Sequence, residues 1–458
     1  ERKVFLFLQK ILSNRLWPFL WLCTFFGAFY YFTAPMLWLE IQNHREASLL
    51  WSDEGLHLKS IERMQSQQTW ELLHPAYTAF YSNLSYAFSF LINGFEEKIS
   101  TGSFIIGSRW VSYLCIQGMM VIVFWRLNQL LGSWKWAFLG MCFVGMQRGS
   151  YFFSITMHPE SPMLLGLVIA IFSATEYLLR QRFLFLFLMA FGVALSISSK
   201  LQTLLLLPWA LIIFLLGLWI GRKKDLYRIF LWSMGFLITL VCTMFLLTPY
   251  QIFNFHRLWN GIQAERSVGA AGGWGDTNAN INLFDWINYA LSNELVGYSY
   301  SLLLTLALFS FFKKLFQYRL KIREFLSRPE YALFFTNLIW VLIGAGYVFF
   351  EVESLISRYL IHVAPSLMLM TFLGVYFIFF IPKNISQYVF ITLLTFLVGI
   401  GIQQQTKHGS FDFKVRKRVA SRFFDIRELM DELKNIVPKE SHILNPHGLQ
   451  IDSKWFNN

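Results

Sequence analysis

Charged side chains are scarce in this sequence: Asp, Glu, Lys and Arg make up 14% of 458 residues, against 55% hydrophobic and 19% aromatic. So little polar surface does not cover a water-soluble globule of this length, so lipid is the solvent. Cysteine is sparse too. Cys23, Cys115, Cys142 and Cys242 all fall in apolar runs without CxxC spacing, which argues against a disulfide framework and a zinc site. The glycine-rich stretch Gly269 to Asp276 lacks the GxxxxGK pattern and its strand-to-helix setting, which argues against a phosphate loop. No internal repeat is found, which argues against the paired-repeat architecture of many secondary transporters. The net charge of +12 comes from Lys and Arg spread between apolar runs. It does not form one basic domain, so nucleic acid is not an expected partner.

What the chain does have is apolar runs of roughly 17 to 25 residues from end to end, each long enough to cross a hydrocarbon core as a helix. They predict an all-α polytopic membrane protein with about eleven spans. These are Leu16–Trp38, Arg109–Leu131, Trp134–Met157, Ser161–Leu179, Phe183–Ser199, Leu201–Gly221, Ile229–Thr248, Leu295–Phe312, Tyr331–Phe350, Tyr359–Ile381 and Ile385–Ile402. With the N-terminus in the cytoplasm, the inner segments collect Lys and Arg, as at Arg222-Lys223-Lys224 and Lys313-Lys314, while most acids fall outside. An odd span count then puts the C-terminus outside. The chain opens at Glu1 without Met, so a trimmed start is expected.

Residues 1–403 read as the transmembrane module and 404–458 as an extracytoplasmic C-terminal segment, itself open to truncation. Two outer loops are long, 39–108 and 249–294, and loops of that length usually carry function. The first holds apolar-aromatic stretches, Ile61–Trp70 and Tyr77–Phe95, suited to helices lying in the membrane interface. In the tail, Val415–Val437 reads as an amphipathic helix and Ser441–Leu444 as a short strand.

Chemistry concentrates at the outer face. Asp53-Glu54 opens the first loop and His74-Pro75 follows in it; Arg109 begins the second span; His158-Pro159-Glu160 sits between the third and fourth; Lys200 and Gln202 enter the sixth. Glu265 lies in the second long loop and Arg358-Tyr359 opens the tenth span. A charge at membrane depth costs about 2.5–3.5 kcal/mol on insertion scales, so such residues line a cavity or meet a partner. Carboxylates supply a base or ligands for a divalent metal, and cations neutralise phosphate. Transfer from a phosphate leaving group needs a base on the attacking hydroxyl and cations at the departing phosphate. A polyprenyl-phosphate sugar, with its phosphate at the interface and its tail in lipid, suits such a site. A multi-pass lipid or solute transporter is the alternative, since intramembrane charges also mark permeation paths.

In this order the motifs resemble the GT-C superfamily of membrane glycosyltransferases, in particular its protein O-mannosyltransferase and aminoarabinose transferase branch. The matching pieces are Asp53-Glu54, His74-Pro75, Arg109, Pro159-Glu160-Ser161-Pro162, Ser199-Lys200, Thr248-Pro249-Tyr250, and Arg358-Tyr359-Leu360 with Pro365. Trp274-Gly275-Asp276 departs from the Gly-His pair that relatives often place in the second loop. The resemblance implies an inverting transfer from a lipid-linked donor to an acceptor hydroxyl or phosphate on a protein, lipid or polysaccharide. It makes Asp53 the base, with Glu54 beside it, either carboxylate also being open to a divalent metal. Arg109, Lys200, Arg358 and Tyr359 become donor-phosphate contacts, and His74, His158, Glu160, Gln202 and Glu265 substrate or acceptor contacts. It implies a site on the extracytoplasmic face; the expected setting is a bacterial inner membrane with a periplasmic site, the alternative the endoplasmic reticulum with a lumenal one.

Overall fold

The computed structural model describes residues 16–39, 52–67, 79–95, 99–221, 226–249, 283–291, 296–318, 321–351 and 360–379, some positions between 253 and 267, and 443–444 with 450–451. Two units separate along the chain, Glu1–Gly409 and Ser410–Asn458. In the second, strand β1 (Ile443–Leu444) pairs antiparallel with β2 (Gln450–Ile451), Ile443 opposite Ile451. The expected helix Val415–Val437 and the span Ile385–Ile402 lie outside the described residues.

The first unit is a helical bundle, as its hydropathy predicts. In chain order its helices are α1 (Leu16–Leu37), α2 (Ser52–Gln67), α3 (Ala79–Ile92), α4 (Thr101–Leu131), α5 (Trp134–Gly145), α6 (Arg148–Ser154), α7 (Glu160–Arg180) and α8 (Phe183–Ser199). After a 3-10 turn at Leu201–Leu205 come α9 (Leu206–Ile220), α10 (Leu226–Leu247), α11 (Leu283–Leu291), α12 (Tyr298–Gln317), α13 (Ile322–Leu326) and α14 (Pro329–Glu351). A second 3-10 turn, Ile361–Val363, leads into α15 (Ala364–Phe379). Among the described residues, seven helices are long and apolar enough to cross a membrane, and Phe183–Ser199 and Ile361–Phe377 are shorter apolar helices. The two expected interfacial stretches are helical over α2 and α3.

Two boundaries differ from the sequence expectation. The second span begins not at Arg109 but at Thr101, because Ser100 caps the helix by accepting the Ser103 N–H at 3.1 Å. Arg109 is therefore enclosed by its own helix's third turn and is fully buried. The third span, expected as one run from Trp134 to Met157, is broken. α5 stops at Gly145, and Gln147 caps α6 by accepting the Ser150 N–H at 2.9 Å. Beyond Ser154 the chain leaves the helix up to Pro159, a proline that disfavours helical backbone at His158. In the sequence, Gln147-Arg148-Gly149-Ser150 marks the first interruption and His158-Pro159 the second.

α7 is the axis of the bundle, buried along almost its whole length and packed against α4, α8, α9 and α14. Its approach to α8 is backbone to backbone. A Cβ on Gly166 would sit 2.7 Å from the Gly192 carbonyl and the Ser196 nitrogen, and one on Gly192 would sit 2.6 Å from the Ala170 nitrogen. Small residues four apart on both helices permit this contact, the means by which helices associate in lipid. Ser196 Oγ adds a bond to the Met163 carbonyl at 2.9 Å. Deeper in the bundle, Thr175 of α7 meets Thr336 of α14 through their hydroxyls at 2.9 Å, and Trp209 Nε1 donates to the Thr336 carbonyl at 3.1 Å.

Candidate functional site

Two buried charge clusters meet at the end of the bundle where α7 starts and α8 ends. The first joins α1, α2, α4 and the break before α7. Glu54, in the first turn of α2, accepts from Arg109 Nη2 through Oε2 at 3.0 Å and from the Met157 backbone N–H through Oε1 at 2.7 Å. Arg109 Nη1 donates to the carbonyls of Met36 at 2.9 Å and Leu39 at 3.2 Å at the end of α1, the first of which also accepts the Leu39 N–H at 3.4 Å. Both side chains of the ion pair are 1% exposed. Four separate segments are thus tied by one carboxylate and one guanidinium. The non-helical backbone at Met157 is what frees its N–H for Glu54.

The second cluster follows one residue later. Glu160, the first residue of α7, pairs through Oε2 with His158 Nδ1 and through Oε1 with Lys200 Nζ. Lys200 is the residue at which α8 ends. Helix dipoles favour both placements, a carboxylate at the α7 N-terminus and an ammonium at the α8 C-terminus, each worth about 0.3–1 kcal/mol where exposed and more where buried. His158 and Glu160 are completely buried; Lys200 keeps 13% of its side chain exposed and is the cluster's opening to the outside.

His57, a helical turn after Glu54 on α2, links the clusters. Its ring centroid lies 5.7 Å from that of His158 and 5.8 Å from that of Tyr81, both edge to face. Tyr81 on α3 bonds the Ser108 carbonyl and the Ser112 hydroxyl, each at 2.9 Å. Burial pushes its phenol above the ordinary value of 10.0, with the Glu54 charge adding to the same direction.

The structure therefore brings together Glu54, Arg109, His158, Glu160 and Lys200 from the sequence-derived set. Gln202 sits half-buried in the 3-10 turn just after Lys200. Asp53 lies in the first turn of α2, with its side chain outside the described residues, as are His74, Glu265, Arg358 and Tyr359. Arg109, expected at a donor phosphate, holds Glu54 and the end of α1 instead. Sequence reasoning did not assign roles to the Met157 N–H, His57 or Tyr81. His57 stands four residues after Asp53, a spacing that puts both on one helix face; nothing in the sequence marked Tyr81. Among the described residues no group of three or more His, Cys, Asp or Glu is arranged to hold a metal ion.

No family model and no curated protein matches the sequence. Among solved structures, that of ArnT from Cupriavidus metallidurans in the apo state matches at a TM-score of 0.52 and 10% identity, over 94% of this chain and 84% of that one. At that identity the likeness is one of architecture alone: the chain shares the fold of ArnT, a bundle of helices of which seven, among the described residues, are long and apolar enough to cross a membrane.

Proposed function

We propose that the protein is a glycosyltransferase that moves a sugar from a polyprenyl-phosphate donor to an acceptor hydroxyl or phosphate at the extracytoplasmic face, with Asp53 as general base. ArnT, an aminoarabinose transferase, shares the fold. The observation that carries the reading is the anchoring of the Asp53-Glu54 turn, through Glu54, onto the break that leads into Glu160 and Lys200. A carboxylate-bearing turn and a cationic opening are thereby fixed to one another, the pairing that transfer from a phosphate leaving group needs.

Glu54 spends both oxygens on N–H donors, so it is committed to holding the turn, and we assign the proton-accepting role to its neighbour Asp53. In the proposed reaction the acceptor oxygen attacks the anomeric carbon as its proton passes to Asp53. The bond from that carbon to the phosphate oxygen breaks with its electron pair leaving on the lipid phosphate. Lys200 faces the growing phosphate charge, with Arg358 and Tyr359 of the tenth-span motif as further contacts, and Glu160 and His158 hold the ammonium in place. Attack opposite the leaving group inverts the anomeric configuration. A divalent metal does not suit Glu54 as bonded here, since its oxygens face N–H groups. Acceptor contacts fall to His74, Gln202 and Glu265. A bacterial inner membrane with a periplasmic site is the setting this reading favours.

The test is transfer by purified protein from a labelled polyprenyl-phosphate sugar. Asp53→Asn is expected to lower turnover by about 10²–10⁴-fold while donor binding persists. Wild-type turnover in that variant removes Asp53 as base. Absence of donor binding by the wild-type protein, with solute movement in liposomes and no bond cleavage, replaces the enzyme by a transporter.

A further inference from the structure

α7 carries a second buried carboxylate at its other end, about 24 Å along the helix axis from Glu160. Glu176 is 1% exposed and takes Arg180 Nε onto Oε2 at 2.6 Å, while Arg180 itself is 50% exposed. The contact is an ion pair, and neither Glu176 oxygen has a hydrogen-bond partner among the described residues. Arg126 of α4 lies within electrostatic range of both Glu176 and Arg180. Its guanidinium stacks over Trp125 at 4.7 Å and bonds Gln129 at 3.0 Å; that of Arg180 lies 5.7 Å from the Phe185 ring.

One carboxylate thus faces two guanidinium groups, which leaves one positive charge uncompensated among these residues. The surroundings are apolar surface: Trp125 is 52% exposed, Phe183 40% and Leu184 58%. An unbalanced cation beside lipid-facing aromatic and aliphatic side chains calls for an anion that itself belongs to the bilayer. Arginine presents forked N–H donors suited to phosphate oxygens, and the ion pair with Glu176 holds the half-exposed Arg180 beside the bundle.

We infer that Arg126 and Arg180 form a binding site for the phosphate of an anionic phospholipid, at the end of the bundle opposite the Glu54–Glu160 clusters. Glu176 is its positioning residue. The site holds an intact structural lipid in the leaflet away from the chemistry and is independent of what the enzyme transfers.

The experiment is native mass spectrometry of full-length protein released from nanodiscs of equal phosphatidylglycerol and phosphatidylcholine. The wild type is expected to retain phosphatidylglycerol preferentially. Each arginine near a membrane surface contributes a factor of about five, so Arg126→Gln/Arg180→Gln lowers retention by about thirtyfold. Arg180→Gln alone strands a buried carboxylate and risks misfolding, so Arg126→Gln, which keeps the Glu176 pair, and Glu176→Gln/Arg180→Gln, which removes both charges, are measured beside it. Each is expected to lose about fivefold and to fold. Equal retention of the two lipids by the wild type overturns the site, as does undiminished retention in the Arg126→Gln/Arg180→Gln protein. Displacement of phosphatidylglycerol by millimolar inorganic phosphate assigns the cluster to free phosphate and overturns the lipid.

Discussion

Removing Glu54 orphans two partners at once, and the structure sets the size of the effect. In Glu54→Ala, Arg109 keeps its bonds to the Met36 and Leu39 carbonyls but loses its counter-charge at a site 1% exposed. Breaking a buried pair from one side costs about 3–5 kcal/mol. The Met157 N–H, now without an acceptor, adds about 1–3 kcal/mol, less where water enters. The total expected is about 4–8 kcal/mol, a large share of the stability of an ordinary domain. Arg109→Leu strands Glu54 instead and is expected to cost about 3–5 kcal/mol. The apolar double variant, Glu54→Met with Arg109→Leu, buries no charge, so its cost should fall short of the sum of the singles by at least about 2 kcal/mol. Glu54→Gln keeps one acceptor oxygen but also removes the buried counter-charge and turns its NH2 toward a donor, so it too should cost about 3–5 kcal/mol. Reversible unfolding in mixed micelles of increasing SDS fraction measures all four. Singles that add to within about 0.5 kcal/mol would refute the clamp and leave Arg109 free for another partner.

Other expectations follow from the same geometry. Lys200→Gln should lower kcat/KM for the lipid-linked donor by about tenfold or more, as expected for removal of a cation at a developing phosphate charge; unchanged kinetics would detach Lys200 from the donor. Gly166→Ala places a Cβ 2.7 Å from the backbone of α8 and should destabilise the bundle by about 1–3 kcal/mol, read in the same unfolding assay; a neutral result would mean the two helices separate freely. Tyr81 titrates above its unfolded value of 10.0, so the native state holds the proton longer than the unfolded chain. Its contribution is complete below about pH 10 and is lost as pH rises from there through the folded value. Tyr81→Phe should flatten that alkaline decline in stability; an unchanged slope would show that Tyr81 does not cause it.

Hydropathy made the bundle legible because lipid imposes one demand, a long apolar helix, wherever the chain crosses. The site was legible in part. Asp53-Glu54, Glu160 and Lys200 declared themselves as charges in apolar company, and the structure sets Glu54, Glu160 and Lys200 at one end of the bundle. What hydropathy hid was whatever depended on backbone hydrogen bonds. The cap at Ser100 moved the start of α4 and so turned Arg109 from a boundary residue into a buried one, although Ser100 before an apolar run is itself a start signal. The expected span from Trp134 to Met157 runs through the polar stretch Gln147-Arg148-Gly149-Ser150, which itself marks the end of α5, and the function of the later break at Ile155–Pro159, offering one N–H to Glu54, belongs to no side chain. The partner of an ionised group is a three-dimensional fact. For Arg109 it lies 55 residues away in Glu54.

The glycine contact between α7 and α8 has a mechanical consequence. With backbone against backbone at Gly166 and Gly192, neither helix slides or rolls past the other without a clash, so the pair behaves as a single stiff lever. Glu160 and Lys200 sit at the tip of that lever, about 9 Å beyond Gly166 along α7. Their separation is then set by covalent geometry and helix packing before any substrate arrives. Any motion at this end of the bundle must come from parts that the lever does not carry, with the ammonium held at a fixed address.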